Sequence, residues 1–114
     1  MDGNIQDKSF QFAIRIVKLC KILRSDRAEF VLSKQLLRSG TSIGANIAEA
    51  QQAQSRADFL SKLNVSFKET TETIYWLRLL EATDYLQESE YKSVVSDCIE
   101  IEKILTASIK SLKK

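Results

Sequence analysis

Histidine and proline are absent from the 114 residues, glycine occurs three times and cysteine twice. Each scarcity removes something. Without histidine the chain cannot build a Ser-His-Asp or Cys-His catalytic group, nor the Glu-x-x-His ligand pairs of di-iron bundles. With no proline and so little glycine, the usual punctuation of hairpins and irregular loops is missing, which favours long helices. Cys20 and Cys98 lack the close spacing of a metal site. Each sits in an apolar run and reads as a small core residue, a buried disulfide or a reactive thiol being the alternative. No apolar stretch approaches the ~20 residues that span a bilayer, and Met1-Asp2-Gly3-Asn4 lacks the basic start of a signal peptide. The expectation is a cytoplasmic protein with no membrane partner.

What is present fits a globular protein: 44% of residues are hydrophobic and 28% charged, enough to bury a core and keep a wet surface. The length gives room for one domain, 1–114. A net charge of +2 is too small to mark a committed nucleic-acid module. Its distribution is uneven. Residues 1–56 carry nine Lys/Arg against five Asp/Glu, hence +4, and residues 57–114 carry eight against ten, hence −2. Any positive field belongs to the first half.

Apolar residues at steps of three and four mark four helical segments, at about 7–24, 29–53, 56–83 and 89–112. The first has two apolar lines, Phe10, Ala13, Ile14, Val17, Cys20 and Phe12, Ile16, Leu19, Leu23. Together they exceed what one core contact hides, so a second partner surface is implied. The second segment centres on Leu32, Leu36, Gly40, Ile43, Ile47 and Ala50. Its two interior glycines cost about 0.8–1 kcal/mol each relative to alanine, and close approach of a neighbouring helix is the simplest compensation. The alternative is a break at Ser39-Gly40-Thr41. Ser55 with Asp58 approximates a capping box for the third segment, whose seam is Leu60, Leu63, Phe67, Thr70, Ile74 and Leu77. A mixed line beside it, Phe59, Lys62, Ser66, Glu69, Thr73 and Trp76, reads as a half-buried edge or subunit boundary. The fourth follows Tyr91, Val94, Cys98, Ile101, Leu105, Ile109 and Leu112. Short connections predict antiparallel neighbours and an up-down four-helix bundle, with a three-helix array containing one long bent helix as the rival.

The polar residues point to binding and packing, and the chain is expected not to be an enzyme. Gly40-Thr41-Ser42-Ile43-Gly44 lacks the spacing of a phosphate loop, and no cofactor is expected. Glu49, Glu69 and Glu72 have the chemistry of acid/base or hard-cation groups. A stronger reading puts Arg38, Ser42, Asn46 and Glu49 in a stripe on the second helix that pairs with Lys62, Glu69 and Glu72 on the third and sets helix or subunit register. Lys8, Arg15, Lys18, Lys21, Arg24 and Arg27 form a run of positive charge that tracks phosphates or, as is usual, is a solvated face. Tyr75 and Trp76 read as packing anchors.

The run from Leu36 through Arg38-Ser39-Gly40-Thr41-Ser42-Ile43-Gly44-Ala45-Asn46-Ile47-Ala48-Glu49-Ala50, followed by Asp58-Phe59, Lys62-Leu63, Lys68-Glu69, Glu72-Thr73 and Trp76-Leu77, closely resembles the 23S rRNA intervening sequence family. The resemblance implies a four-helix bundle assembling as a ring-like homopentamer. It marks Arg38, Ser42, Asn46, Glu49, Glu69, Glu72 and Trp76 as signature residues with no reaction assigned to them. A branch of similar bundles, the accessory variability determinant proteins of diversity-generating retroelements, binds nucleic acid and a reverse transcriptase through basic surfaces. The expected partners are therefore further copies of the chain, with RNA or DNA, or else another protein held by an adaptor without a nucleic-acid role.

Overall fold

The structure, a computed structural model, describes residues 3–113. All regular structure among them is helical: α1 (Gly3–Ser25), α2 (Leu32–Ala50), α3 (Arg56–Ala82) and α4 (Glu88–Leu112). Each helix packs on its neighbours in sequence, and α4 closes back on α1. The resulting rod measures 44 × 21 × 20 Å, its long axis matching the ~40 Å of a 27-residue helix at 1.5 Å per residue.

The connections explain where the helices stop. After α1, Ala28 adopts a left-handed backbone with φ of 52°, and the Glu29 N–H donates to Leu23 O at 2.9 Å. The second helix begins three residues later than the expected 29, because Glu29 serves the helix from outside it. Its carboxylate accepts from the backbone N–H groups of Val31, Leu32 and Ser33 at 2.9, 2.7 and 2.6 Å, filling the donors a helix start leaves open. At the far end α2 stops at Ala50, short of the expected 53, and the chain turns through hydrogen bonds from the Gln51, Gln52 and Ala53 N–H groups to Ala48, Glu49 and Ala50. No break occurs at Ser39-Gly40-Thr41. Ser55 caps α3 by accepting from Asp58 N at 3.0 Å, and Asp58 in turn accepts from Gln54 N. Asp84, left-handed at φ of 68°, ends α3 with paired bonds from Asp84 N to Glu81 O and Tyr85 N to Leu80 O, a Schellman arrangement. Gln87 and Glu90 form a reciprocal capping box on α4.

The core draws on one line of each helix: Ile5, Phe12, Ile16 and Leu23; Leu36, Ile43 and Ile47; Leu63, Leu77 and Leu80; Val94, Cys98, Ile101 and Leu105. On α3 the seam departs from the sequence expectation. Leu60, Phe67 and Ile74 are half-buried, whereas Ser66 and Thr73, placed on an edge by pattern, are fully buried against α2. Ser66 Oγ donates to Ile43 O at 2.8 Å, and Thr73 Oγ1 lies 2.9 Å from Ser39 Oγ while donating to Glu69 O. Small hydroxyl groups let α2 and α3 approach closely and satisfy themselves on nearby backbone. Among the described residues no buried side-chain polar atom lacks a partner.

The α1–α2 contact is also close. A Cβ placed on Gly40 would lie 2.9 Å from both γ carbons of Ile16, which is fully buried, and one on Gly44 would lie 3.2 Å from Ser9 O. The glycines are thus the sites where α1 rests on α2. Gly40→Ala is expected to destabilise by up to about 2 kcal/mol, the overpacking of ~1–3 kcal/mol less the ~1 kcal/mol of recovered helix propensity. Gly44→Ala should cost less, since its contact is looser; urea denaturation followed by circular dichroism separates the two.

Glu29 supplies a second test. Burial acts to raise its pKa, but hydrogen bonds from the Leu32, Ser33 and Val31 N–H groups outweigh this and leave it below the ordinary carboxylate value. Its stabilisation is therefore complete above the unfolded value of ~4.3 and is lost as pH falls through the lower folded value. Glu29→Gln should cost about 0.5–2 kcal/mol at neutral pH, the range for loss of a cap, and flatten the acid limb of the stability profile measured by denaturation from pH 3 to 7.

Candidate interaction surfaces

A polar cluster bridges the outer edges of α2 and α3. Arg38 Nη1 donates to Glu69 Oε2 at 3.2 Å and its Nη2 donates to Glu72 Oε1. Trp76 Nε1 donates to the same Glu72 oxygen at 3.1 Å, and its ring meets Tyr75 edge-on with centroids 5.1 Å apart. The Arg38 guanidinium, then the Trp76 N–H, hold the Glu72 carboxyl below its ordinary pKa. Two turns along, Lys62 Nζ pairs with Glu49 at 3.6 Å. Ser42 and Asn46 do not cross between helices. Ser42 Oγ donates to Arg38 O and Asn46 Nδ2 to Ser42 O, because a step of four sets each side chain over the carbonyl one turn back. The stripe is thus a pair of bridges separated by side chains bonded to their own helix. Glu49 lies apart from Glu69 and Glu72, and among the described residues no group of three or more His, Cys, Asp or Glu is placed to hold a metal ion.

The cationic run of α1 divides in two. Lys8 pairs with Glu100 at 2.5 Å and Arg15 with Asp97 at 2.7 Å, both on α4. Arg27, just past the helix, grips Glu90 with two hydrogen bonds of 3.1 and 2.7 Å and donates to Tyr85 O at 2.8 Å, latching the α1–α2 connection to the α3–α4 connection. Lys18, Lys21 and Arg24 are exposed and make no ion pair among the described residues. Helix geometry accounts for the split: at about 100° per residue, positions 8 and 15 point toward α4, while 18, 21 and 24 point outward.

On the same outward side, Phe10, Ile14 and Val17 stay exposed, Phe10 at 63%. Beside them, Ala13 of α1 and Thr41, Gly44, Ala45 and Ala48 of α2 line an apolar groove of about 430 Å³. This is the first of the two apolar lines read in α1; the second, with Phe12, Ile16 and Leu23, is core. Ile22, in neither line, is also exposed, while Cys20 of the first line turns inward. The thiols are not reactive groups. Burial raises Cys20 to about 11 and Cys98 to about 12, and both are free, held against Ser33 O and Thr70 O.

Three features of these surfaces escape sequence periodicity. Lys34 is an exposed cation near the α1 run; Phe30 and Val31 are exposed on the connection; and Glu29 is a cap although pattern places it inside the helix. A Glu four residues ahead of a Ser at the start of an apolar period is the signal that would have identified the last.

The model of the 23S rRNA-intervening sequence protein family matches residues 1–107. A crystal structure of a protein of unknown function from the S23 ribosomal protein family of Bacteroides thetaiotaomicron VPI-5482 is 57% identical, with the alignment covering 93% of this chain and 98% of that one at a TM-score of 0.92. No curated protein matches. No helix among the described residues is long and apolar enough to cross a membrane.

The Arg38 bridge is half-exposed, so its contribution is modest. A double-mutant cycle of Arg38→Gln and Glu72→Gln is expected to give a coupling of about 0.5–1 kcal/mol that shrinks in 1 M salt. Zero coupling would mean the cluster does not hold α2 to α3.

Proposed function

The chain belongs to the 23S rRNA-intervening sequence protein family, and from that premise we propose that it is a non-enzymatic, cytoplasmic, homo-oligomeric binding or scaffold protein with RNA or DNA as its partner. In this reading residues 1–114 form one up-down antiparallel bundle, and five copies close into a ring. The order of cross-helix contacts supports the topology. Residues 8, 15 and 27 meet 100, 97 and 90, and residues 38 and 49 meet 72 and 62. Two free, buried thiols suit a reducing compartment.

One observation carries self-association: the exposed strip Phe10, Ile14 and Val17 beside the small-residue groove of α2. A contiguous apolar patch of this kind is a cost to a lone subunit and an asset when covered. Small residues let a second helix pack with its backbone close, and a self-contact that is not two-fold closes as a ring when its rotation divides a full turn. Five copies is the number the family resemblance implies. The ring would also repeat a weak charge of +2 fivefold, strengthening its field toward a polyanion.

Native mass spectrometry and light scattering at micromolar concentration should return five times the 13.0 kDa chain mass. Phe10→Asp combined with Val17→Asp should lower that mass while leaving the helical spectrum unchanged, since both side chains lie outside the core. A stable, monodisperse monomer of the native chain overturns the proposal.

A further inference from the structure

Residues 1–56 contain nine Lys and Arg, and most have a structural occupation. Lys8, Arg15, Arg27 and Arg38 pair with carboxylates of the second half, and Arg56 donates to Leu112 O at 2.8 Å. The four left over, Lys18, Lys21, Arg24 and Lys34, are all exposed and without an ion pair among the described residues, three of them on the second half of α1 and the fourth in the first turn of α2. On α1 they follow one another every third residue, about 4.5 Å of rise per step. Cys20 Sγ lies 3.4 Å from Ser33 O, which brings the first turn of α2, and Lys34 with it, alongside this stretch of α1.

Exposed apolar side chains accompany the row, Ile22 at 40% within it and Phe30 at 56% and Val31 at 73% on the connection that follows. Glu29, the acid on the connection itself, does little to neutralise the row, since it is buried and its charge is spent on three backbone N–H groups. The same Glu29 contacts fill the N-terminal donors of α2, so an anion here is held by side chains and not by the helix end.

We infer that this corner of the bundle, Lys18, Lys21, Arg24 and Lys34 with Phe30 at its edge, is a binding site for the sugar-phosphate backbone of single-stranded RNA or DNA. It rests on the nucleic-acid reading above and gives that reading a location. A row of cations along a helix tracks successive phosphates, and an exposed aromatic on a connection offers a face on which an unpaired base stacks.

The test uses fluorescence anisotropy of a labelled, mixed-sequence single-stranded RNA of about 20 nucleotides, and DNA of the same length, at low salt. The native chain is compared with K18Q/K21Q/R24Q/K34Q and with K68Q/R78Q/K103Q/K110Q, which removes four exposed cations of α3 and α4 and so matches the change in net charge. The corner variant is expected to bind at least ~10-fold more weakly, with a salt slope flatter by about 2–3, since each phosphate contact on a single strand contributes ~0.7. The α3/α4 variant should stay within about threefold of native. Phe30→Ala should weaken single-strand binding about fivefold or more, the lower part of the range for one stacked base. Equal losses in both quadruple variants, or a larger loss in the α3/α4 variant, overturn this site while leaving nucleic-acid binding in place. Failure of the native chain to bind either strand, including capture only by anionic phosphatidylglycerol vesicles, overturns both the site and the reading beneath it.

Discussion

The depth to which α1 settles on α2 governs much of what this bundle presents to its surroundings. Where most helix pairs are held apart by side chains at 8–10 Å, here Gly40 admits the branched side chain of Ile16 directly against the α2 backbone, and Gly44 does the same for the Ser9 turn. That contact fixes the rotation of α1 as well as its distance. With Ile16 inward, Phe12 and Leu23 enter the core, Lys8 and Arg15 swing toward α4, and Phe10, Ile14 and Val17 are left outside. A bulkier α2 would push α1 away and fill the groove that Gly44, Ala45 and Ala48 now leave open. Packing inside the subunit and the surface available outside it are two results of the same small residues.

The electrostatics follow from this rotation. The charge imbalance between the two halves of the chain suggests an external positive field, yet most of it is used internally. Arg15 and Arg27 on the α1 side reach Asp97 and Glu90 on the α4 side, and Arg38 reaches Glu69 and Glu72. Such half-exposed pairs contribute little stability individually. Their value is in register, since a one-turn slip of α1 along α4 would separate all of its pairs together. Four cations of the first half, Lys18, Lys21 and Arg24 on α1 and Lys34 on α2, are exposed and outside these pairs.

Helix existence and the main core lines were legible because each helix repeats its apolar residues every three to four positions, and the strongest signals, Leu36, Ile43, Ile47 and Cys98, Ile101, Leu105, are core. Ser66 and Thr73 were not. A hydroxyl at a core position looks like an edge residue until one sees that the facing helix offers Ile43 O and Ser39 Oγ at hydrogen-bond distance. Glu29 was misplaced for a similar reason: its carboxylate stands in for helical hydrogen bonds, and periodicity counts residues without regard to which side of a cap they stand on. The polar stripe on α2 was legible as a stripe, but which members cross to α3 depends on side-chain length. Arg38 spans the gap, whereas Ser42 and Asn46 fold back on their own turn. The division of the α1 cations was hidden because it depends on which neighbour each one faces.

The apolar strip and the basic row follow one another along the outward side of α1, and in the proposed ring this arrangement would tie assembly to binding. Covering Phe10, Ile14 and Val17 with another copy would bury the middle of the helix, while Lys18 follows Val17 directly and Lys21 and Arg24 lie about one and two turns further along, toward the connection that carries Phe30. In a closed ring every copy is level with the next, so the corners repeat around one rim. A strand that engages one weak corner then meets the others at high effective concentration, and avidity grows without any new contact in the subunit. A monomer with +2 net charge has little need of a strong individual site if its geometry guarantees repetition. If the proposed ring binds nucleic acid, the glycines of α2 would influence that affinity from a distance, through the rotation of α1 that sets which side chains are covered and which are left free.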